Sequence, residues 1–181
     1  SLALWLDGEI LSRSVLAGQK HSELVLPLLN EMLVEGGVTL SHLDGFAFGA
    51  GPGSFTGLRI ACGVIQGLAF ALDKPVVDIS TLEALAQQTV SVNVITALDA
   101  RMGEVYLAAY TKHPDEQWIP VQSPMLCRPE SAPQLSGNNW IGCGSGFDRY
   151  PDLLKSAYQD QLNKVLIGCY PHAREIAQLS I

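Results

Sequence analysis

The chain has 181 residues, enough to bury a core without disulfide or metal staples. Hydrophobic residues make up 48% and charged residues 16%, so either the core is well filled or some surface is meant to be covered by a partner. A formal net charge of -7 excludes, for this chain alone, a nucleic-acid binder that works by attracting the phosphate backbone.

Leu2 to Leu6, Asp7-Gly8 and Glu9 to Val15 predict a β-hairpin, because Asp-Gly supplies the positive φ angles of a two-residue turn. A sheet opening at Ser1 with no initiator Met predicts that an earlier strand precedes it. From Ser22, a helix cap, to Glu35 the apolar residues Val25, Leu28, Leu29, Met32 and Leu33 recur at helical spacing, with Leu24 and Leu26 broadening the stripe. Gly36-Gly37 ends that helix, and Gly45 to Gly49 reads as a buried parallel strand. A glycine-rich loop, Gly49 to Gly57, leads into a helix from Leu58 to Leu72. The apolar run between Arg59 and Asp73 holds Gly63, Gln66 and Gly67 and is expected to fall short of a membrane span. Gly63, Gly67 and Ala71 recur every fourth residue and let another helix approach closely. Val76 to Ile79 is predicted as a strand and Thr81 to Gln88 as a helix.

Strand, helix, strand and helix after a hairpin describe an α/β fold, a mixed sheet with packed helices. A second lobe is expected to begin near Val94, giving residues 1–92 and 93–181. Val94 to Leu98 and Glu104 to Tyr110 are predicted strands, and Lys112 to Asn139 is expected to be loop with short strands. Trp140 to Gly142 is a brief strand before a second glycine cluster, Gly142, Gly144 and Gly146. Leu153 to Leu162 and His172 to Leu179 are the remaining predicted helices. Cys62, Cys127, Cys143 and Cys169 match neither a disulfide framework nor zinc spacing and suit a reducing, cytoplasmic compartment.

Two readings of Gly49 to Arg59 stay open. Backbone amides at a strand-to-helix junction can hold an anion, with Gly51, Gly53, Ser54 and Arg59 as candidates; alternatively the loop is a structural or docking turn. It is no Walker loop, since no Lys follows Gly57, and no nucleophile elbow, since Ser54 lacks the flanking glycines. Asp99 and Glu104 flank a turn and read as a solvated hairpin or a polar contact between lobes, not as an acid and base.

Gly49 to Arg59, followed by Ala97-Leu98-Asp99-Ala100-Arg101-Met102-Gly103-Glu104-Val105-Tyr106 and then Gly142-Cys143-Gly144-Ser145-Gly146, closely resembles the bacterial TsaB (YeaZ) family of tRNA threonylcarbamoyladenosine biosynthesis proteins, over essentially the entire chain. The resemblance implies a pair of actin/hexokinase-like lobes (the ASKHA, ribonuclease H-like class) related to the peptidase M22 group. It implies a non-catalytic subunit that pairs with the paralogue TsaD and the ATPase TsaE. That complex places a threonylcarbamoyl group on N6 of adenosine 37 in tRNAs reading codons that begin with A. ATP and a metal then belong to the partners, this chain carries no cofactor, tRNA is met only through the complex, and no membrane is involved. The family's first strand with its Asp-Thr pair, residues after Gln88 and after Leu162, and a C-terminal extension are expected to be missing here.

The paralogue's metal site resembles two histidines four residues apart on a helix, whereas His21, His42, His113 and His172 stand far apart. His21 reads as a cap-region or interface residue. The competing classes are an M22-type metal-dependent peptidase and a small ATPase or kinase of the same fold, for which Gly142 to Gly146 is the sole candidate second phosphate loop. The expected docking surface, for a homodimer when the partner is absent and for the paralogue otherwise, is Val25, Leu28, Leu29 and Met32 on the first helix with Ile60, Gly63, Val64, Gly67 and Ala71 on the second.

Overall fold

The computed structural model describes residues 1–15 and 21–181, and the chain divides into two units, Ser1–Thr81 with His172–Ile181, and Leu82–Pro171. The division falls ahead of the boundary expected at residues 92–93, and the last segment returns to the first unit. The helix Thr81–Gln87 supplies the reason: Leu82, Ala84, Leu85 and Ala86 are fully buried, so it is core material of the second unit.

In the first unit β1 (Leu2–Leu6) and β2 (Glu9–Arg13) pair antiparallel, from Leu2 opposite Arg13 to Leu6 opposite Glu9. Asp7 and Gly8, at φ 49° and 95°, make the left-handed turn that Asp-Gly favours. α1 (His21–Glu35) closes on Gly36-Gly37, where the Gly36 and Val38 amides donate to the Met32 and Leu33 carbonyls. Its last turn buries Met32 and Leu33 against Leu4, with Leu2, Leu6, Leu11 and Leu29 packed around them. β3 (Phe46–Gly51) and β4 (Val76–Ser80) pair parallel, so the chain between them must cross over, and α2 (Phe55–Leu72) is that crossover. α2 starts on the Ser54 side chain, which accepts from the Gly57 amide, and stops at Asp73 in the left-handed conformation at φ 52°.

The second unit contains α3 from Leu82 onward within Thr81–Gln87, then β5 (Asn93–Arg101), β6 (Glu104–Lys112), β7 (Trp118–Cys127), β8 (Trp140–Cys143), α4 (Ser145–Arg149), α5 (Pro151–Tyr158) and β9 (Leu162–Leu166). These strands form a five-stranded sheet in the order β7-β6-β5-β8-β9. β6 runs antiparallel to both neighbours, while β5, β8 and β9 are mutually parallel, so this sheet is mixed, whereas the mixed sheet expected ahead of Val94 is two separate pairs, β1-β2 antiparallel and β3-β4 parallel. Central β5 is covered on both faces, which explains its unbroken run of buried residues from Val94 to Leu98. Ile95, Ala97, Val105, Leu107, Trp140, Phe147, Leu154 and Tyr158 form the core against one side.

Three elements depart from the sequence-based expectation. Lys112 to Asn139 holds a ten-residue strand, β7, instead of loop with short strands. It sits at the sheet edge, where Pro120 and Pro124 cost no interior ladder bonds, and its pairing with β6 shifts register beside them. The helix expected from Leu153 to Leu162 ends at Tyr158; Gln159 turns left-handed at φ 41° and Leu162–Leu166 becomes β9 on the edge beyond β8. α4 stands where only a glycine cluster was read. α6 (Ala173–Leu179) buries Ile176 and packs on β1, β2 and β3 of the first unit.

Candidate docking surface

α2 packs on β3, β4 and α1 of its own unit, yet among its residues only Ala69 is fully buried. Phe55, Thr56, Arg59, Gly63, Gln66, Gly67, Phe70 and Ala71 are exposed, and steps of three and four put them on one continuous face. At its centre a Cβ added to Gly63 or Gly67 meets nothing within 4 Å. At its ends stand Phe55 and Phe70, the latter 92% exposed. A low centre between two projecting aromatic rings is the relief that admits another helix closely and gives it apolar side chains to bury, each ring worth about 1.5–3 kcal/mol when covered.

Arg59 does not reach toward the glycine loop. Its guanidinium lies 4.0 Å from the centre of the Phe55 ring, a cation–π contact that keeps the charge at the rim of the face. Within the loop Ser54 caps α2, the Thr81 hydroxyl donates to the Pro52 carbonyl, and the space beside Gly51 is filled by Leu58, 3.2 Å from where a Cβ would stand. The Gly51-Pro52 peptide is cis. Of the anion candidates, Gly51, Gly53, Ser54 and Arg59, two are thus committed to the turn and the helix cap, and Arg59 to a ring.

The α1 stripe must be corrected at one position and qualified at three. Met32 is 1% exposed and belongs to the core with Leu4 and Leu33, so it cannot meet a partner. Val25, Leu28 and Leu29 are half-buried, and Leu29 packs on the same cluster. A helix turns its strongest apolar stripe toward its own core, and on α1 that stripe is the one the periodicity picks out. What α1 exposes is Leu26, at 52%, and Val34, at 74%. On α2, Ile60 and Val64 are half-buried, whereas Gly63, Gly67 and Ala71 are exposed. Phe55 and Phe70 are absent from the expected set, although Phe70 lies three residues beyond Gly67 and seven beyond Gly63, on the same face.

The membrane expectation also changes. α2 begins at Phe55 rather than Leu58, and its 18 residues with mean hydropathy 1.6 are long and apolar enough to cross a membrane by length and composition. Arg59 and Gln66 within it, and its packing on β3 and β4, give the same helix a place on a folded unit.

The second glycine cluster is structural. A Cβ on Gly144 would stand 2.3 Å from the Ala97 carbonyl oxygen, one on Gly146 2.8 Å from the Ala97 Cβ, and one on Gly142 2.6 Å from the Phe147 ring. These glycines let β8 and α4 press on β5, and the space over their own Cα atoms is filled by Ala97, Leu85 and Phe147. Asp99 accepts from the Arg101 amide at 3.0 Å and from the Tyr150 hydroxyl at 3.4 Å, and Glu104 lies across the hairpin as the register partner of Arg101.

Among the described residues no three or more His, Cys, Asp or Glu side chains gather where they could hold a metal ion. His42 contacts Thr39, His113 pairs with Asp115, and His172 precedes α6; the His21 side chain lies outside the described residues. Among the described residues no histidine pair stands together as the resemblance has it in the paralogue's metal site. Burial pushes the Cys143 thiol well above its ordinary range, with Cys169 adding to the shift, and raises Cys127 and Cys169 as well, so none of these three is a ready thiolate nucleophile.

The family model described as "TsaD: tRNA N6-adenosine threonylcarbamoyltransferase" matches residues 13–138. The chain is 37% identical over 165 residues to the tRNA threonylcarbamoyladenosine biosynthesis protein TsaB of Escherichia coli (strain K12), covering 87% of this chain and 71% of that protein. It is 40% identical over 162 residues to the protein of the same description from Haemophilus influenzae, covering 83% and 69%. A crystal structure from Pseudomonas aeruginosa, described as similar to peptidase YEAZ, superposes with a TM-score of 0.89 at 35% identity, covering 98% of this chain and 83% of that one. A structure of YeaZ from Pseudomonas aeruginosa does so at 0.85 and 36%, covering 98% and 84%. With its motifs, its fold and these likenesses in agreement, the chain belongs to the TsaB/YeaZ family, the M22 peptidase-like paralogues of TsaD.

Proposed function

We propose that this chain is a non-catalytic, cytoplasmic subunit that activates a TsaD-type paralogue in forming N6-threonylcarbamoyladenosine at position 37 of tRNAs reading codons beginning with A. The observation that carries the docking step is the exposed face of α2, with open space over Gly63 and Gly67 between Phe55 and Phe70. A monomer gains nothing from keeping such a face in water, and a helix of a partner fits it. Family membership supports the choice of a TsaD-type partner, together with the TsaE-type ATPase. The same face serves a second copy of the chain when the paralogue is absent, because one surface with this relief is a simpler solution than two.

The two units are, in this reading, actin/hexokinase-like lobes. The mixed five-stranded order β7-β6-β5-β8-β9, a meander of three followed by two parallel strands with only β6 reversed, supports it for the second unit. ATP and metal chemistry are assigned to the partners. The chain's own contribution is shape: it presents a helix.

The test is reconstitution. Purified chain, paralogue and ATPase are combined with tRNA, ATP and the threonylcarbamoyl precursor, and modified adenosine is counted by mass spectrometry. Modification should require the chain, and the chain alone should give none. Full modification without it would overturn the reading.

A further inference from the structure

The motifs around Asp99 and Gly144 play no part in the α2 face, yet the second unit brings their ends to one cleft of about 370 Å³, lined by Asp99, Arg101, Ser145, Asp148, Arg149 and Tyr170. We propose that this cleft binds one small phosphate-bearing anion, held by Arg101, Ser145, Arg149 and Tyr170.

Each carboxylate in the cleft already accepts from a backbone amide of the protein. Asp99 Oδ1 accepts from the Arg101 amide at 3.0 Å and the Tyr150 hydroxyl at 3.4 Å, while Oδ2 lies 3.7 Å from Arg101 Nη1. Both Asp148 oxygens accept from the Gly168 amide, at 3.1 and 3.2 Å. Ser145 Oγ accepts from the Asp99 amide at 3.1 Å, which leaves its own proton to donate. The donors are unspent. Among the described residues the Arg149 guanidinium and the Tyr170 hydroxyl have no protein partner, and Arg101, with its side chain 87% exposed, has one long contact for five N–H groups. A cleft whose carboxylates are engaged by the protein, and whose Arg149 guanidinium and Tyr170 hydroxyl have no protein acceptor among the described residues, suits an acceptor-rich ligand. Two guanidinium forks and two hydroxyls suit the several oxygens of a phosphate group better than the two of a carboxylate.

The site is also held in place. Arg101, Met102 and Gly103 take φ of 67°, 54° and 82°, fixing the turn that presents Arg101. Gly144 and Gly146 lie so close to Ala97 that Ser145 is set beside Asp99. The two carboxylates formally balance the two guanidiniums, and the whole chain carries -7, so the attraction extends to one small anion and not to a polyanionic strand. The volume is that of the smaller ligand pockets.

The full ¹⁵N-labelled chain is titrated with inorganic phosphate at constant ionic strength, and in a second arm with a short single-stranded RNA. The expected result is saturable amide shifts confined to residues 99–103 and 144–150, with a dissociation constant on the order of millimolar. Arg149→Ala should weaken binding about 10-fold, the loss of one charge-assisted contact, and Tyr170→Phe, which removes only a hydroxyl, a few-fold. Shifts that chloride reproduces, or that persist unchanged in both variants, overturn the proposal. So does RNA that occupies the same amides more tightly than phosphate.

Discussion

Glycine does opposite things in the two units. On α2, Gly63 and Gly67 face open space, and nothing inside the unit requires them to be glycine. Around β8, Gly142, Gly144 and Gly146 sit where any side chain would collide with Phe147 or Ala97. Glycine in a helix interior costs about 1 kcal/mol each relative to Ala, and at α2 no internal packing offsets it. In the proposed function that cost is offset by a partner docked on the face, whereas the β8 glycines are accounted for by the core.

That contrast can be broken most severely at Gly144. Gly144→Ala puts a methyl against the Ala97 carbonyl at φ 102°, and should destabilise the second unit by on the order of 4 kcal/mol, read as a large fall in the denaturation midpoint. A midpoint within error of the parent protein would mean the cluster is not close-packed. Phe70→Ser should leave the midpoint nearly unchanged, because the ring is 92% exposed, yet weaken self-association and paralogue binding by about 10-fold or more. Loss of folding with no loss of binding would reverse the roles given to the two regions. Gly63→Ala should raise monomer stability by up to about 1 kcal/mol, since the added methyl meets nothing and helix propensity improves. A destabilised monomer would show that α2 is packed by its own unit after all.

The smallest effect concerns pH. Burial raises the Glu83 carboxyl above its ordinary value. Its contribution to folding is therefore present at low pH and lost as pH rises through the folded value. Glu83→Gln should raise the thermal midpoint modestly at neutral pH and make no difference near pH 3, well below the ordinary carboxyl value, where the carboxyl is protonated in both states. A constant difference across that range would assign the effect to something other than ionisation.

Much of this could be read from the residues. Asp7-Gly8 signalled the hairpin, Gly36-Gly37 the end of α1, and Gly49 to Gly57 the junction into α2. What escaped were features set by neighbours distant in sequence. β7 contains Pro120 and Pro124 and is a strand because it lies at the edge beyond β6. The helical pattern from Leu153 runs on without a break signal, and only the place beside β8 makes Leu162–Leu166 a strand. For the site, the Gly63 and Gly67 stripe was legible as a small-residue face, but Phe55 fell in the glycine-rich loop ahead of the helix start expected at Leu58, and Phe70 points outward where large apolar residues on a helix usually point inward. Met32 was misassigned for the converse reason: periodicity identifies a stripe but not which side of it faces the core.

The shared docking face is tested most directly by Gly67→Leu, with self-association followed by sedimentation and paralogue activation by the tRNA modification assay on the same preparation. The side chain enters open space in the monomer, so circular dichroism should be unchanged. In a complex it occupies the ground where the second helix must come close. The expected result is a folded monomer that has lost both self-association and activation. A folded variant that no longer self-associates but activates the paralogue normally would contradict a single shared surface.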